Sequence, residues 1–220
     1  MYFNKPKKKI KILAIIPARK GSKGLPGKNK IQLLGKPLIA YTIKAATQSK
    51  TINKTIVSSD DIDILKISKE MGVEINKRPA YLSQDTSTSE DVINYILDLD
   101  PIKNEGFNAV MLLQPTSPLR TSYDIDSSVK LFMETKATGI ISVYNIGIKP
   151  FKSYYLNKNG FLKGVFNDKS PNKPRQFLPD AYQPNGAIYL TGTDQFLKTK
   201  SLFSQFTLPF VMSKEESIDI

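Results

Sequence analysis

Through residues 10–144 the chain alternates short runs of apolar and β-branched residues with longer amphipathic stretches, and few folds accommodate that alternation. The runs at 10–16, 55–58, 73–75, 109–113 and 139–144 predict strands, most of them apolar enough to be buried on both faces. The stretches at 38–48, 62–71, 89–99 and 124–136 repeat apolar residues at helical spacing. Strand, loop and helix repeated in this order predict a three-layer, Rossmann-like α/β fold with a mainly parallel sheet. Ligands of such sheets bind in the crevice beyond the carboxyl ends of the strands, so function is expected in the loops that follow strands.

Local chemistry sets the helix limits. Gly72 is suited to end one helix, while Ser87-x-x-Glu90 and Thr121-x-x-Asp124 have the spacing of capping boxes that start two others. From residue 145 to about 174 the pattern changes to Lys, Asn, Tyr and Phe without helical periodicity, and Asn159-Gly160 predicts a hairpin turn. A connection of this length far exceeds the usual ~2–6 residues, which predicts an inserted β-hairpin arm. A strand at 186–190, a short helix near 194–200 and a last strand at 207–212 complete the reading. This pattern predicts one domain with an insertion: an α/β core at 1–144, an arm at 145–180 and a return to the core at 181–220.

With no Cys and no His among 220 residues, the sequence excludes disulfides, thiolate nucleophiles, Cys/His zinc sites, Ser-His-Asp triads and imidazole acid–base chemistry. Carboxylates, Lys, Arg, amides, hydroxyls or a hard cation must supply any catalysis. No stretch approaches the ~20 apolar residues of a membrane span. The Lys-rich start before residues 12–16 lacks the apolar length and cleavage site of a secretory signal, and it predicts a solvated tail ahead of a buried strand.

A net charge of +12 points to anionic partners, either nucleic acid or a phosphorylated ligand. Of the 32 basic residues only four are arginines: Arg19, Arg78, Arg120 and Arg175. A chain that uses the planar guanidinium so sparingly uses it for geometry, and these four are spread along loop-like motifs rather than clustered with aromatics for RNA. The densest motif follows the first strand, where Gly21, Gly24 and Gly27 are interleaved with Arg19, Lys20, Lys23 and Lys28. Such a backbone can wrap closely around phosphates while the cations offset their charge. It is neither a Walker A loop nor a dinucleotide fingerprint.

This loop resembles the signature of the cytidylyltransferases that activate acidic nine-carbon sugars, the acylneuraminate cytidylyltransferase (CMP-sialic acid synthetase) family. Further blocks match in order: Val57-Ser-Ser-Asp60, Arg78-Pro-Ala-Tyr-Leu82, Asp85-Thr-Ser-Thr-Ser89, Leu112-Leu-Gln-Pro-Thr-Ser-Pro-Leu-Arg120, Arg175-Gln-x-Leu-Pro179, Pro184-Asn-Gly-Ala-Ile-Tyr189 and Ser217-Ile-Asp219. The resemblance implies a nucleotide-diphospho-sugar transferase fold and a reaction of CTP with a nonulosonic acid such as N-acetylneuraminate. The Kdo cytidylyltransferases share fold and reaction, but Lys23-Gly24-Leu25 is similar to the sialic-acid branch.

Carried over residue by residue, the resemblance implies that Arg19, Ser22, Lys23 and Lys28 hold the CTP phosphates, with Asn29 near the nucleoside. Arg78 and Ser89, with the backbone around Ala80, would read cytosine. Gln114 would face the sugar acid, and Lys152, Arg175, Asn185 and Tyr189 match sugar-side residues, Arg175 as a clamp for the carboxylate. Leu202 and Phe203 match an apolar place near the sugar's acyl group, although their sequence alone predicts core. Arg120 is open between ligand and loop brace. Asp219 matches a Mg²⁺ ligand, so Arg19, Lys28 and Asp219 are the expected catalytic residues.

Two positions depart from the pattern. Gln183 stands where many relatives carry an arginine, and the alternate second aspartate that follows Ser-Ile-Asp in relatives falls outside the 220 residues. The resemblance also implies a cytoplasmic homodimer in which the arm reaches over the partner's site, bringing Lys152 and Arg175 to it. The opposing reading is a nucleotide- or RNA-binding module on the same fold without turnover.

Overall fold

The computed structural model describes residues 10–21 and 24–220; the Lys-rich start at 1–9 and the loop residues Ser22 and Lys23 lie outside them. The first strand, β1 (Ile12–Pro17), shows why the chain forms three layers. Ile12, Ala14 and Ile16 point to one face of the sheet and Leu13 and Ile15 to the other, and all five are fully buried. A strand covered on both sides must be apolar throughout.

A short ribbon follows, β2 (Gln32–Leu33) with β3 (Lys36–Pro37), and then α1 (Leu38–Gln48). The ribbon's turn holds Leu34 and Gly35 at positive φ, and the sequence did not announce it. Next come β4 (Lys54–Ser59), α2 (Ile62–Glu70), β5 (Glu74–Lys77), α3 (Ser89–Asp98) and α4 (Asp100–Glu105). The core continues with β6 (Ala109–Leu112), α5 (Ser122–Glu134) and β7 (Gly139–Gly147). After the arm, β10 (Ala181–Gly192), α6 (Thr193–Thr199) and β11 (Thr207–Val211) close the fold.

The main sheet runs β11-β7-β10-β6-β1-β4-β5. All its pairings are parallel except those of β10, which lies antiparallel between β6 and β7. One core, with Ile39 and Ile43 of α1, Ile64 of α2 and Ile125 of α5, covers the face of Ile12 and Ile16. The other, with Val92, Ile93 and Ile96 of α3, Ile102 of α4 and Phe196 of α6, covers the face of Leu13 and Ile15. The expected Rossmann-like α/β fold is therefore present, with its helices split between the two faces.

Boundaries moved for local reasons. The capping box of α3 uses Thr88 and Asp91 rather than Ser87 and Glu90, because Ser87 Oγ donates to the Tyr81 carbonyl instead. The box at Thr121 and Asp124 forms as expected. Gly72 adopts φ 78° just past α2. Strand β10 begins at Ala181, five residues before the expected 186, because its first residues leave the sheet paired only with β7: Gln183 opposite Tyr144 and Pro184 opposite Val143. That two-stranded stem carries the arm.

Within the arm, β8 (Tyr154–Leu156) pairs antiparallel with β9 (Leu162–Gly164). The turn is fixed by Asn157 Oδ1, which accepts from the amides of Asn159 and Phe161, both at 3.0 Å, with Gly160 at φ 79°. Phe151 stacks on Phe166 with centroids 4.3 Å apart. Leu156, Phe161, Leu162 and Phe177 stand exposed on this arm.

Candidate active site

The loops after β1, β4, β5 and β6 converge at the carboxyl edge of the sheet. Those after β1, β5 and β6, with the C-terminal segment, enclose a cleft of about 350 Å³ whose lining includes Arg19, Lys28, Arg78, Ser89, Gln114 and Asp219. Six residues far apart in the sequence are thus brought to one place by the strand order.

Main-chain contacts tie the loop after β1 to β4. Ala18 donates to the Ser58 carbonyl at 2.9 Å, Ser59 Oγ donates to the Ala18 carbonyl, and Asp60 Oδ1 accepts from the Lys20 amide at 2.8 Å. Asn29 is buried beneath the loop, its Nδ2 donating to the Arg19 carbonyl at 3.3 Å. Gly27, at φ 68°, turns the chain into the Lys28–Lys30 turn. The loop cations are not equivalent. Lys30 bridges Asp61 and Asp63 at 2.9 and 2.7 Å, and those carboxylates, Asp63 foremost, raise its pKa. Lys28 instead lines the cleft and donates to the main-chain oxygen of Ile220 at 3.0 Å.

Arg78 is almost fully buried at the cleft floor, where Nη2 and Nε donate to the carbonyl and hydroxyl of Ser58 at 2.7 and 3.3 Å. Burial pulls its pKa down to about 10, against the favourable field of Asp60 and with the repulsion of Arg19. It remains a cation at neutral pH, poorly hydrated and suited to a ligand's acceptor atoms. Ser89 opens α3 beside it. Ala80 sits in the short turn Ala80–Leu82 that follows Arg78, outside the cleft's immediate lining.

Gln114 follows β6 and packs over Gly186, where φ is 75°; a β-carbon at Gly186 would lie 2.5 Å from Gln114 Oε1. Its main chain is held by Arg120, which resolves the open reading of that residue as a brace. The Arg120 guanidinium, 3% exposed, donates to the carbonyls of Gln114 and Ala187 at 3.2 and 2.8 Å and to Thr42 Oγ1. Burial lowers its pKa to about 9, with Asp124 opposing.

The expected sugar-side residues are distributed differently. Tyr189, half-buried on β10, has its hydroxyl pKa raised by burial and by the fields of Glu90 and Asp219, and it stands outside the cleft's immediate lining. Asn185 is buried with its amide fully engaged inside the protein. Leu202 belongs to the core, whereas Phe203 is 66% exposed and corrects the expectation of core for that residue. Lys152 and Arg175 line a separate hollow of about 610 Å³ at the base of the arm. There Lys152 Nζ donates to the carbonyls of Pro171 and Lys173. Gln183 accepts from the Tyr144 hydroxyl at 3.1 Å.

Residues that sequence reasoning gave no role include Asp60, which holds the Lys20 amide, and Asp85, whose Oδ1 lies 2.7 Å from Arg19 Nη1. Both lie inside matched motifs, and that was their only signal. Among the described residues no cluster of three carboxylates forms a metal site. Asp219 lines the cleft, and its carboxylate makes no hydrogen bond or ion pair among the described residues.

A Gly-rich cationic loop at the carboxyl edge of a doubly wound sheet, with one antiparallel strand, is the architecture of a nucleotide-binding α/β protein. Residues 13–169 match the family model described as cytidylyltransferase, and the chain belongs to that family. It is 36% identical over 218 residues to an N-acylneuraminate cytidylyltransferase of Escherichia coli O18:K1:H7, covering 96% of this chain and 49% of the relative. The chain therefore spans about half the length of that relative. It is 37% identical over 220 residues to a CMP-N,N'-diacetyllegionaminic acid synthase of Legionella pneumophila subsp. pneumophila, covering 96% and 91%. Among solved structures, a CMP:2-keto-3-deoxy-manno-octonic acid synthetase complexed with CTP superposes with a TM-score of 0.66 at 17% identity, covering 92% and 90% of the two chains. At that identity the likeness concerns the fold.

Proposed function

We propose that this protein transfers CMP from CTP to an acidic nine-carbon 2-keto sugar, N-acetylneuraminate or a related nonulosonic acid, with release of pyrophosphate. The observation that carries this reading is the convergence of Arg19, Lys28 and Arg78 with Gln114 and Asp219 in one cleft of a cytidylyltransferase-family chain.

In this reading Arg19 and Lys28, with Ser22 and Lys23, hold the triphosphate, and Asn29 supports the loop from below. Arg78, Ser89 and the main chain at Ala80 read cytosine, whose donor and acceptor edge suits a buried guanidinium beside a hydroxyl. Gln114 offers donor and acceptor to a sugar hydroxyl. The anomeric hydroxyl attacks the α-phosphorus in line, the bond to pyrophosphate breaks, and Arg19 and Lys28 offset the charge that develops on the departing phosphates. A direct displacement needs no protein nucleophile, in keeping with a chain that has no Cys and no His.

The donor set fits Mg²⁺, which binds through one or two carboxylates together with substrate phosphates, and Asp219 offers one such carboxylate. When bound, the cation supplies charge neutralisation and lowers the pKa of a coordinated oxygen.

The exposed apolar side chains of the arm support a homodimer in which the arm, shaped by Lys152, brings Arg175 to the partner's sugar site, with Tyr189 and Phe203 lining the same region. No described helix is long and apolar enough to cross a membrane. The reading places the protein in the cytoplasm, with CTP, and without nucleic acid as a partner.

The test is pyrophosphate release from CTP and Mg²⁺ with N-acetylneuraminic, legionaminic, pseudaminic and Kdo acids in turn. Release with a nine-carbon acid supports the proposal, and release with Kdo alone moves the substrate to the octonic acid. Binding of CTP with no release from any acid would leave a nucleotide-binding module.

A further inference from the structure

The resemblance assigns Asn185 to the sugar, yet its side chain is 4% exposed and every hydrogen-bonding valence is in use. The register of β10 against β7 breaks between Pro184 and Tyr189, which face Val143 and Ile141, so β10 carries extra residues in a bulge. Asn185 repairs the broken ladder: Oδ1 accepts from the Ala187 amide at 3.1 Å and from Ser142 Oγ at 2.6 Å. Its Nδ2 donates to Ser217 Oγ at 2.9 Å and to Met212 Sδ at 3.2 Å. An amide has two donors and an acceptor with two lone pairs, so none is left for a sugar hydroxyl.

The direction of these bonds is determined. The Ala187 amide can only donate, which turns Oδ1 toward it. Ser217 Oγ donates its proton to the Ser213 carbonyl at 2.6 Å, so it receives from Asn185. The segment thus anchored is the one that bears Asp219. On its far side the Ile220 amide donates to the Thr116 carbonyl at 3.1 Å, and Ser117 Oγ donates to the Asn185 carbonyl at 3.0 Å. Asp219 itself makes no bond among the described residues, so its position in the cleft is set by Ser217 and Ile220 on either side.

We propose that Asn185 is a positioning residue that fixes Asp219 at the cleft through Ser217, and that it is not a sugar ligand. This rests on reading the cleft as a cytidylyltransferase site. It couples the stem of the arm to the metal-binding end of the cleft, because β7 and β10 meet at Ser142 and Asn185.

Replacing Asn185 would also strip the bulge of its partners, so the decisive variant is Ser217→Ala, which leaves the bulge intact and removes the tail's half of the link together with the Ser217 bond to the Ser213 carbonyl. Amide hydrogen exchange on the ligand-free protein reads tail anchoring without turnover. Ser217→Ala is expected to raise exchange at residues 217–220 about fivefold to hundredfold, the effect of losing the two hydrogen bonds its hydroxyl makes, with β1 unchanged. Ser217→Thr, which keeps the hydroxyl, is expected to restore protection. In turnover, Ser217→Ala should raise the Mg²⁺ concentration needed for half-maximal rate and lower kcat, with KM for the sugar acid unchanged. Unaltered tail exchange in Ser217→Ala would overturn the proposal, as would a rise in sugar KM at an unchanged Mg²⁺ requirement. Failure of the cytidylyltransferase reading would instead show as absent turnover, with the exchange result still legible.

Discussion

Arg19 Nη1 lies 2.7 Å from Asp85 Oδ1, joining the glycine-rich loop to the segment before α3 across the mouth of the cleft. Both side chains are partly exposed, at 34% and 49%, so the pair adds little to folding stability, under about 1 kcal/mol. Its consequence falls on binding. A triphosphate that recruits Arg19 must displace a carboxylate already in place. Asp85→Asn is therefore expected to tighten CTP binding by up to about fivefold with little change in Tm, since exposed pairs are worth at most about 1 kcal/mol. Calorimetric titration with CTP measures this; weaker binding in the variant would make Asp85 a contributor to the site rather than a competitor.

Two lysines of the same loop should separate cleanly. Lys30 is held by Asp61 and Asp63, whereas Lys28 lines the cleft. Lys28→Ala is expected to raise KM for CTP at least about tenfold, as for loss of a charge-assisted contact worth ~1.5–3 kcal/mol, and Lys30→Ala less than about threefold. Equal effects would mean that the loop binds phosphate by net charge and not by placement.

Much of this architecture was legible in the sequence because burial on both faces leaves an unmistakable apolar run, as at Ile12–Pro17, and because α1 shows its full period over Leu38–Gln48. Pro184 and Asn185-Gly186 hid the start of β10: a proline and a turn-like dipeptide read as a break, and the bulge they form is bridged by the side chains of Asn185 and, from β7, Ser142, which no local pattern reveals. The short α4, six residues with a proline at its start, had too few turns to show a period. In the site, loop residues with positive charge or glycine announced themselves. Arg120 did not, because its acceptors on Ala187 and Thr42 lie 67 and 78 residues away.

Gly186 tests whether the bulge sets the sugar side of the cleft. Its φ of 75° disfavours a side chain, and an added β-carbon would meet Gln114 Oε1 at 2.5 Å and Ser117 Oγ at 3.1 Å. Gln114 must then move. Gly186→Ala is expected to lower stability by about 1–3 kcal/mol from the backbone strain alone. It should also raise KM for the sugar acid more than KM for CTP. Thermal melting and steady-state kinetics with each substrate varied in turn would expose the reverse pattern.

Asp126 makes acid sensitivity predictable. Burial opposes its ionisation, but Ser49, Thr51 and the amides of Lys50 and Thr51 donate to it and outweigh that effect, so its pKa falls below the ordinary 3.8. A carboxyl with a depressed folded pKa stabilises above the unfolded value, and that contribution is lost as pH falls through the folded pKa. Asp126→Asn should therefore be less stable than the parent at pH 7, with the difference shrinking only below about pH 4 as the parent's carboxylate takes up its proton. Urea melts at pH 7, 4 and 3 test this, and a gap that stays constant would assign the effect to packing.

The hollow at the base of the arm decides whether one chain makes a whole site. Arg175 is exposed there and lines it with Lys152, whose ammonium is committed to the Pro171 and Lys173 carbonyls, so Lys152 shapes the arm while Arg175 is free to reach a ligand. The cleft residues Arg19, Gln114 and Asp219 line a different cavity. If the arm completes the partner's site, Arg19→Ala and Arg175→Ala should each be nearly inactive, and each defect lies in a different half of a composite site. A heterodimer of the two variants then holds one site with both arginines intact and one with neither. Random pairing makes half of the dimers mixed, so co-expression should restore about a quarter of the parent activity. Differently tagged subunits, co-purified, give the mixed dimer directly. An inactive mixed dimer would mean that Arg175 serves the cleft of its own chain, and a monomer by light scattering at assay concentration would remove the composite site altogether.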